Sequence, residues 1–254
     1  MASLDLTALG WIVLSISALV IGISKTSVGG MGALAVAGFT MFLPAKESTA
    51  AVLLLLIIGD VVAVSIYRRS ADWALLRRLL PAVVPGIALG ALLIALVNNQ
   101  VLTLVIGFSI LIALALQILL RRRPTAQLTT STQPHLAASI GAGTAAGFTT
   151  MVANAAGPIM ALYLLAARVD KLRFVGTNAW FFLLVNLCKV PFSAGLGLFP
   201  ASTWILTLFL APVVLAGTWI GRKLLRVVGQ SLFEKLTLAA AAVAAALLLV
   251  RALV

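Results

Sequence analysis

Apolar residues run through this chain in long, nearly unbroken stretches, without the alternation of a soluble strand or the one-sided stripe of a surface helix. The runs fall at roughly 6–23, 28–43, 48–67, 75–97 and 101–120, and again at roughly 136–150, 155–167, 174–193, 201–221 and 231–250. Most approach the length of about 20 residues that a helix needs to cross the hydrocarbon. The runs 136–150 and 155–167 fall short, since at 1.5 Å per residue each covers about 20 Å of the roughly 30 Å required. They read as two arms of a re-entrant hairpin broken near the midplane, with ordinary tilted helices as the alternative. The pattern predicts an all-α polytopic membrane protein of about ten helical segments. One long polar stretch, RRRPTAQLTTSTQPH (121–135), divides it. Residues 1–123 form a first repeat, 124–134 a linker and 135–254 a second repeat within one membrane domain.

The two halves resemble each other. GISKTSVGGMG (22–32) aligns with GFTTMVANAAG (147–157), which sets Gly22 over Gly147, Ser24 over Thr149 and Gly32 over Gly157. Further on, Pro85 and Gly90 fall over Pro212 and Gly217, and Gln100, Leu102 and Arg121 over Gln230, Leu232 and Arg251. The offset drifts only from 125 to 130. A same-side hairpin plus three spans gives each half an odd number of crossings, so the second half starts on the opposite face. Inverted repeats with broken helices at matching positions are the pattern of secondary transporters, whose substrate site lies where the breaks meet.

Composition agrees: 63% of the 254 residues are hydrophobic and 9% charged. The net charge of +12 does not point to nucleic acid, because the basic residues sit in short clusters between apolar runs. Arg68, Arg69, Arg77, Arg78, Arg121, Arg122, Arg123, Arg168, Lys171, Arg173, Arg222, Lys223 and Arg226 all fall on one side, thirteen of the 18 basic residues, against Lys46 and Arg251 opposite. The positive-inside rule then places the linker in the cytoplasm and both termini outside a bacterial inner membrane. The N-terminal MASLDLTALG has no basic residue before its apolar run, so it reads as a retained membrane segment and not a cleaved signal peptide. The single cysteine, Cys188, reads as a packed thiol. Nothing points to a cofactor or a metal.

The candidate chemistry gathers at the two breaks. If the second arm of the first hairpin begins near Val28, its N-terminus points to the bilayer centre with unpaired N–H groups and partial positive charge. Gly29, Gly30 and Gly32 leave that backbone open to an anion, and Ser24, Thr26 and Ser27 offer hydroxyl donors. The second break offers Thr149, Thr150 and Asn154. Two such N-termini facing each other would form an anion site; close helix packing by small residues is the competing reading. Lys25 either faces the site as a counter-charge or snorkels to the surface. Lys189 carries the same two readings. Asn186 and Phe182 share its helix face, with Asn178 near the same stripe. Asp60, deep in an apolar run, pairs with Lys25, couples transport to a proton or caps a backbone. At an offset of 126 it falls under Asn186. Trp180 and Trp204 read as packing or interfacial anchors, while Asp5, Glu47, Asp72, Asp170, Glu234 and His135 lie at segment ends.

The motifs GISKTSVGGMG, the downstream acidic residue with YRRSADW, GFTTMVANAAGP and NLCK resemble those of the sulfite exporter TauE/SafE family, over nearly the whole chain from about Trp11 to the last helix. The resemblance implies a transporter of small sulfur-containing anions: sulfite, thiosulfate or organosulfonates such as isethionate and sulfoacetate. This chain departs from internal symmetry where Thr150 stands over Lys25, and Lys189 is a candidate to supply the missing charge. The expected partners are a small anion and bilayer lipids, with a homodimer left open and no nucleic acid. A passive anion channel is the alternative. No carboxylate pair and no nucleophile–base spacing supports a membrane-embedded enzyme.

Overall fold

The computed structural model describes residues 6–26, 32–121 and 134–227, with further helical positions at 242, 243, 245, 246, 249 and 250. Its elements are α1 (Ala8–Thr26), α2 (Gly32–Thr40), α3 (Ala45–Tyr67), α4 (Trp73–Leu96), α5 (Asn99–Arg121), α6 (Leu136–Ala153), α7 (Gly157–Ala166), α8 (Lys171–Gly195) and α9 (Ala201–Val227). Among the described residues seven helices are long and apolar enough to cross a membrane. The chain is a multi-pass, all-helical membrane protein. Most of the linker, Ser27, Gly29, Gly30, Asp5, Glu234, Gln230, Leu232 and Arg251 lie outside the described residues.

The helix ends differ from the sequence reading at both breaks. α1 continues to Thr26, so Ser24, Lys25 and Thr26 form its last turn; α2 is described from Gly32, and the expected start near Val28 lies outside the described residues. α6 continues to Ala153 and has 18 residues, about 27 Å, so it is no short arm. In the second pair only the returning arm is short: α7, at 10 residues, reaches about 15 Å, and the described part of α2, 9 residues, covers about 14 Å. The reason is local. Hydroxyls read as donors for an anion bond back to their own helix: Ser24 to the Ile21 carbonyl at 2.9 Å and Thr149 to the Ala145 carbonyl at 2.8 Å. In an apolar medium that arrangement keeps both the hydroxyl and the helix satisfied. α6 stops at Asn154, which takes the left-handed conformation with φ 51° and donates its N–H to the Thr150 carbonyl.

Both pairs fold back on themselves. Gly38 of α2 lies against Ser17 of α1, and Phe42, just beyond α2, lies against Gly10. Tyr163 of α7 shares a hydrogen bond of 3.1 Å with Ser139 near the start of α6. Each short arm therefore returns toward the end from which its long partner came.

Packing between the halves is exchanged. α1 lies along α9 in the same direction, with Gly217 against Leu19 and Gly22 and Gly221 against Ile23 and Thr26. α6 lies along α4 in the same direction, with Gly143 against Leu79 and Ala82, Gly147 against Val83 and Ile87, and Gly90 against Phe148 and Met151. Because α3 and α4 are joined by a short turn and run oppositely, α1 and α6 run in opposite directions. The repeat mates Gly90 and Gly217 thus do equivalent work, each receiving the first helix of the other half. α3 and α8 pack together at the centre.

A Cβ on Gly22 would lie 2.1 Å from the Val214 carbonyl oxygen, and one on Gly147 would lie 2.2 Å from that of Val83. Both obstacles are backbone, so no side chain can swing aside. Gly22→Ala and Gly147→Ala are each expected to destabilise the protein by about 1–3 kcal/mol or more through overpacking. Gly141→Ala is the control, since its Cβ meets nothing within 4 Å. It should gain up to about 1 kcal/mol of helix propensity. Thermal unfolding in detergent would read all three.

Candidate functional site

Four elements converge on one buried network. α8 presents Asn178, Phe182, Asn186 and Lys189 on one face, at the three- and four-residue spacing that stacks side chains along a helix. α3 brings Asp60, and the last turn of α1 brings Lys25. The end of α6 brings Thr150 and its left-handed cap, Asn154.

The Lys25 ammonium pairs with Asp60 Oδ1 at 2.6 Å and sits 4.6 Å from the centre of the Phe182 ring. Asn186 Nδ2 donates to Asp60 Oδ2 at 2.7 Å. The Oδ1 of the same amide accepts from Lys189 Nζ at 3.3 Å. Lys189 Nζ also donates to Thr150 Oγ1 at 3.3 Å and to Asn154 Oδ1. Three acceptors match the three N–H bonds of an ammonium. Asn154 Nδ2 donates to the Thr49 carbonyl of α3 at 3.4 Å, which ties the second break to the first half. Neither lysine snorkels. Lys189 is 2% exposed, and the Lys25 and Asp60 side chains are 9% and 1% exposed.

The network borders a pocket whose polar side is Ser24, Lys25, Asp60, Thr150, Asn154, Asn178 and Asn186. Leu56, Ala63, Val175, Ala179 and Phe182 form its apolar wall, and Gly157, the first residue of α7, faces it as well. Since Thr150 Oγ1 already accepts from Lys189, its own hydrogen is available to donate. Two ammoniums meet a single carboxylate here. Asp60 is the one buried carboxylate among the described residues, so the formal charge of the cluster is +1.

The structure brings together Ser24, Lys25, Asp60, Thr150, Asn154, Asn178, Asn186 and Lys189 from the sequence reading. It leaves out two others. Thr26 donates to the Thr218 carbonyl at 2.9 Å and joins α1 to α9. Thr149 turns its hydroxyl back onto α6 at the Ala145 and Ala146 carbonyls. Asp72 and Asp170 prove to be N-caps of α4 and α8. Trp180 packs against Trp73 with the rings tilted and donates to the Arg68 carbonyl, whereas Trp204 is exposed beside Phe199.

Sequence reasoning placed Phe182 on the polar face of α8 but missed the rest of the apolar wall, because leucine, valine and alanine are common throughout the chain. The repeat register could have found part of it. At the offset of 126 that joins Asp60 to Asn186, Leu56 falls over Phe182 and Ala63 over Lys189. Equivalent faces of α3 and α8 therefore line the same space.

Comparison with known families gives one match: the family model for the sulfite exporter TauE/SafE covers residues 14–248. No curated protein and no solved structure matches the chain.

Proposed function

The chain belongs to the sulfite exporter TauE/SafE family, and on that footing we propose that it is a secondary transporter that exports small sulfur-containing anions such as sulfite, thiosulfate or organosulfonates. The observation that carries this reading is the buried cluster of Lys25, Lys189 and Asp60, with more positive than negative charge, beside a pocket. A charge inside a membrane is costly and needs a partner, and an anion supplies one. Lys25, Thr150, Asn154, Asn178 and Asn186 bind its oxygens, Ser24 lines the pocket with its hydroxyl turned back onto α1, and the N-terminus of α7 at Gly157 adds partial positive charge. Lys189 holds Thr150, Asn154 and Asn186 in place from behind. Asp60 serves as the ion-pair partner of Lys25. A transporter suits this arrangement better than an enzyme, because the pocket holds no nucleophile paired with a base.

Transport proceeds by alternating access. The exchanged pairs α1–α9 and α4–α6 move as rigid units around the α3–α8 centre, and the two breaks expose the site to each side in turn. The basic loops orient the chain with both termini outside a bacterial inner membrane and the linker in the cytoplasm. A cysteine at Thr130 is expected to resist an impermeant thiol reagent in intact cells and to react after permeabilisation. Labelling from outside would reverse the orientation.

Binding is tested by thermal shift of the purified protein with sulfite, thiosulfate, sulfate, isethionate, sulfoacetate and taurine. A ligand at 100 times its Kd should stabilise the folded state by about 2.7 kcal/mol. Flux in proteoliposomes then separates a transporter from a channel: saturation with slow turnover is expected, and a non-saturating current would favour a pore.

A further inference from the structure

We propose that Asp60 sets the valence of the anion that the pocket accepts: by cancelling one of two buried ammoniums it leaves a net charge of +1, which suits monoanions and excludes dianions. The proposal rests on the anion site described above and goes beyond it by naming a selectivity rule and the residue that enforces it: of the anions considered there it keeps hydrogensulfite and the monoanionic sulfonates and excludes thiosulfate and sulfoacetate, which are dianions at neutral pH.

Three observations support it. Lys25 and Lys189 are joined into one cluster through Asp60 and Asn186, at 2.6, 2.7 and 3.3 Å, so their charges act on the pocket together. Asp60 takes Lys25 on one oxygen and Asn186 on the other, which leaves it committed to the cluster. The remaining wall of Leu56, Ala63, Val175, Ala179 and Phe182 is apolar and holds no further charge. A monoanion makes the filled site neutral. A dianion leaves one negative charge in a low-dielectric surrounding, where an unpaired charge is expensive. Lys189 touches no ligand directly, since its donors are spent on Thr150, Asn154 and Asn186. It contributes charge through those side chains and is a positioning residue.

Anions whose charge is constant around neutral pH test the rule, so the measurements are made at about pH 7, well above the carboxyl range. Methanesulfonate and sulfate form a pair of similar size with one and two charges; isethionate and sulfoacetate form a second pair. Titration calorimetry on the wild-type protein should give a preference for the monoanion of each pair of at least about tenfold, the factor that 1.4 kcal/mol produces. Asp60→Asn raises the cluster to +2 and should shift each ratio toward the dianion by at least about tenfold. Asp60→Asn combined with Lys189→Gln returns the cluster to +1 and should restore the wild-type order, which keeps the test sound if the single variant does not fold. Lys189→Gln alone should lose both classes of anion. Equal affinity within each pair for the wild type, an unchanged ratio in Asp60→Asn, or wild-type affinity in Lys189→Gln would overturn the valence rule while leaving an anion site standing. If none of the four anions binds the wild-type protein, the anion site itself is wrong and the rule falls with it.

Discussion

Asp60→Asn is expected to lower the stability of the ligand-free protein by about 3–5 kcal/mol, the range found when one partner of a buried ion pair is removed. The replacement is isosteric, so packing against Leu56 and Ala63 survives and the loss reads charge alone. The asparagine can still accept from Asn186, but Lys25 is left without a carboxylate at 2.6 Å, and two ammoniums remain in one buried cluster. Thermal or denaturant unfolding in detergent would show the loss directly. A double replacement, Lys25→Met with Asp60→Leu, separates stability from function. It removes both charges and fills the space, so it should recover most of the stability. It should not recover anion binding, since only Lys189 remains and Lys189 has no free donor. Unaltered stability in Asp60→Asn would mean that the pair is not the anchor between α1 and α3.

Lys25→Ala is expected to weaken anion binding by about 100-fold or more, since truncating one partner of a buried, hydrogen-bonded charge pair typically costs 2–5 kcal/mol and 2.7 kcal/mol is a factor of about 100. Lys25 is the one cation on the pocket wall among the described residues. It combines an ion pair with Asp60 and a Phe182 ring at 4.6 Å, and it lines the pocket. Lys25→Arg keeps the charge but needs room. A Cβ on Gly59 would already lie 2.9 Å from the Lys25 Cγ, so the stem is tightly held and the larger guanidinium must shift. It should retain part of the affinity. Lys223→Ala is the control, because that cation lies over Trp219 near the end of α9, away from the pocket. Calorimetry with the best ligand from the thermal-shift panel reads all three. Equal affinity in Lys25→Ala and the wild type would remove Lys25 from the site.

Much of this protein is legible before folding. Long apolar runs determine that the chain enters a bilayer, because the cost of leaving apolar side chains in water and polar backbone in lipid is settled by composition over about 20 residues. The repeat was legible because equivalent helices must meet equivalent neighbours: the close approaches that require Gly22, Gly147, Gly90 and Gly217 recur in both halves. Even one central contact followed from it, since the offset of 126 that set Asp60 under Asn186 is the separation of two residues now hydrogen-bonded at 2.7 Å.

Tertiary structure alone decided the rest. A threonine or serine near a helix end bonds equally well to its own helix, to a neighbour or to a ligand, and the three outcomes have the same sequence. Thr149 took the first, Thr26 the second, and Thr150 was held by Lys189 at the pocket. A lysine on a flexible stem can reach the membrane surface or turn inward with similar ease. What turned Lys25 and Lys189 inward is the arrival of partners from other elements: Asp60 at Lys25, and Thr150 and Asn154 at Lys189. The balance of two ammoniums against one carboxylate therefore belongs to no local segment. It exists only because α1, α3, α6 and α8 meet, and in a low-dielectric surrounding that balance has consequences which the same residues in water would not have.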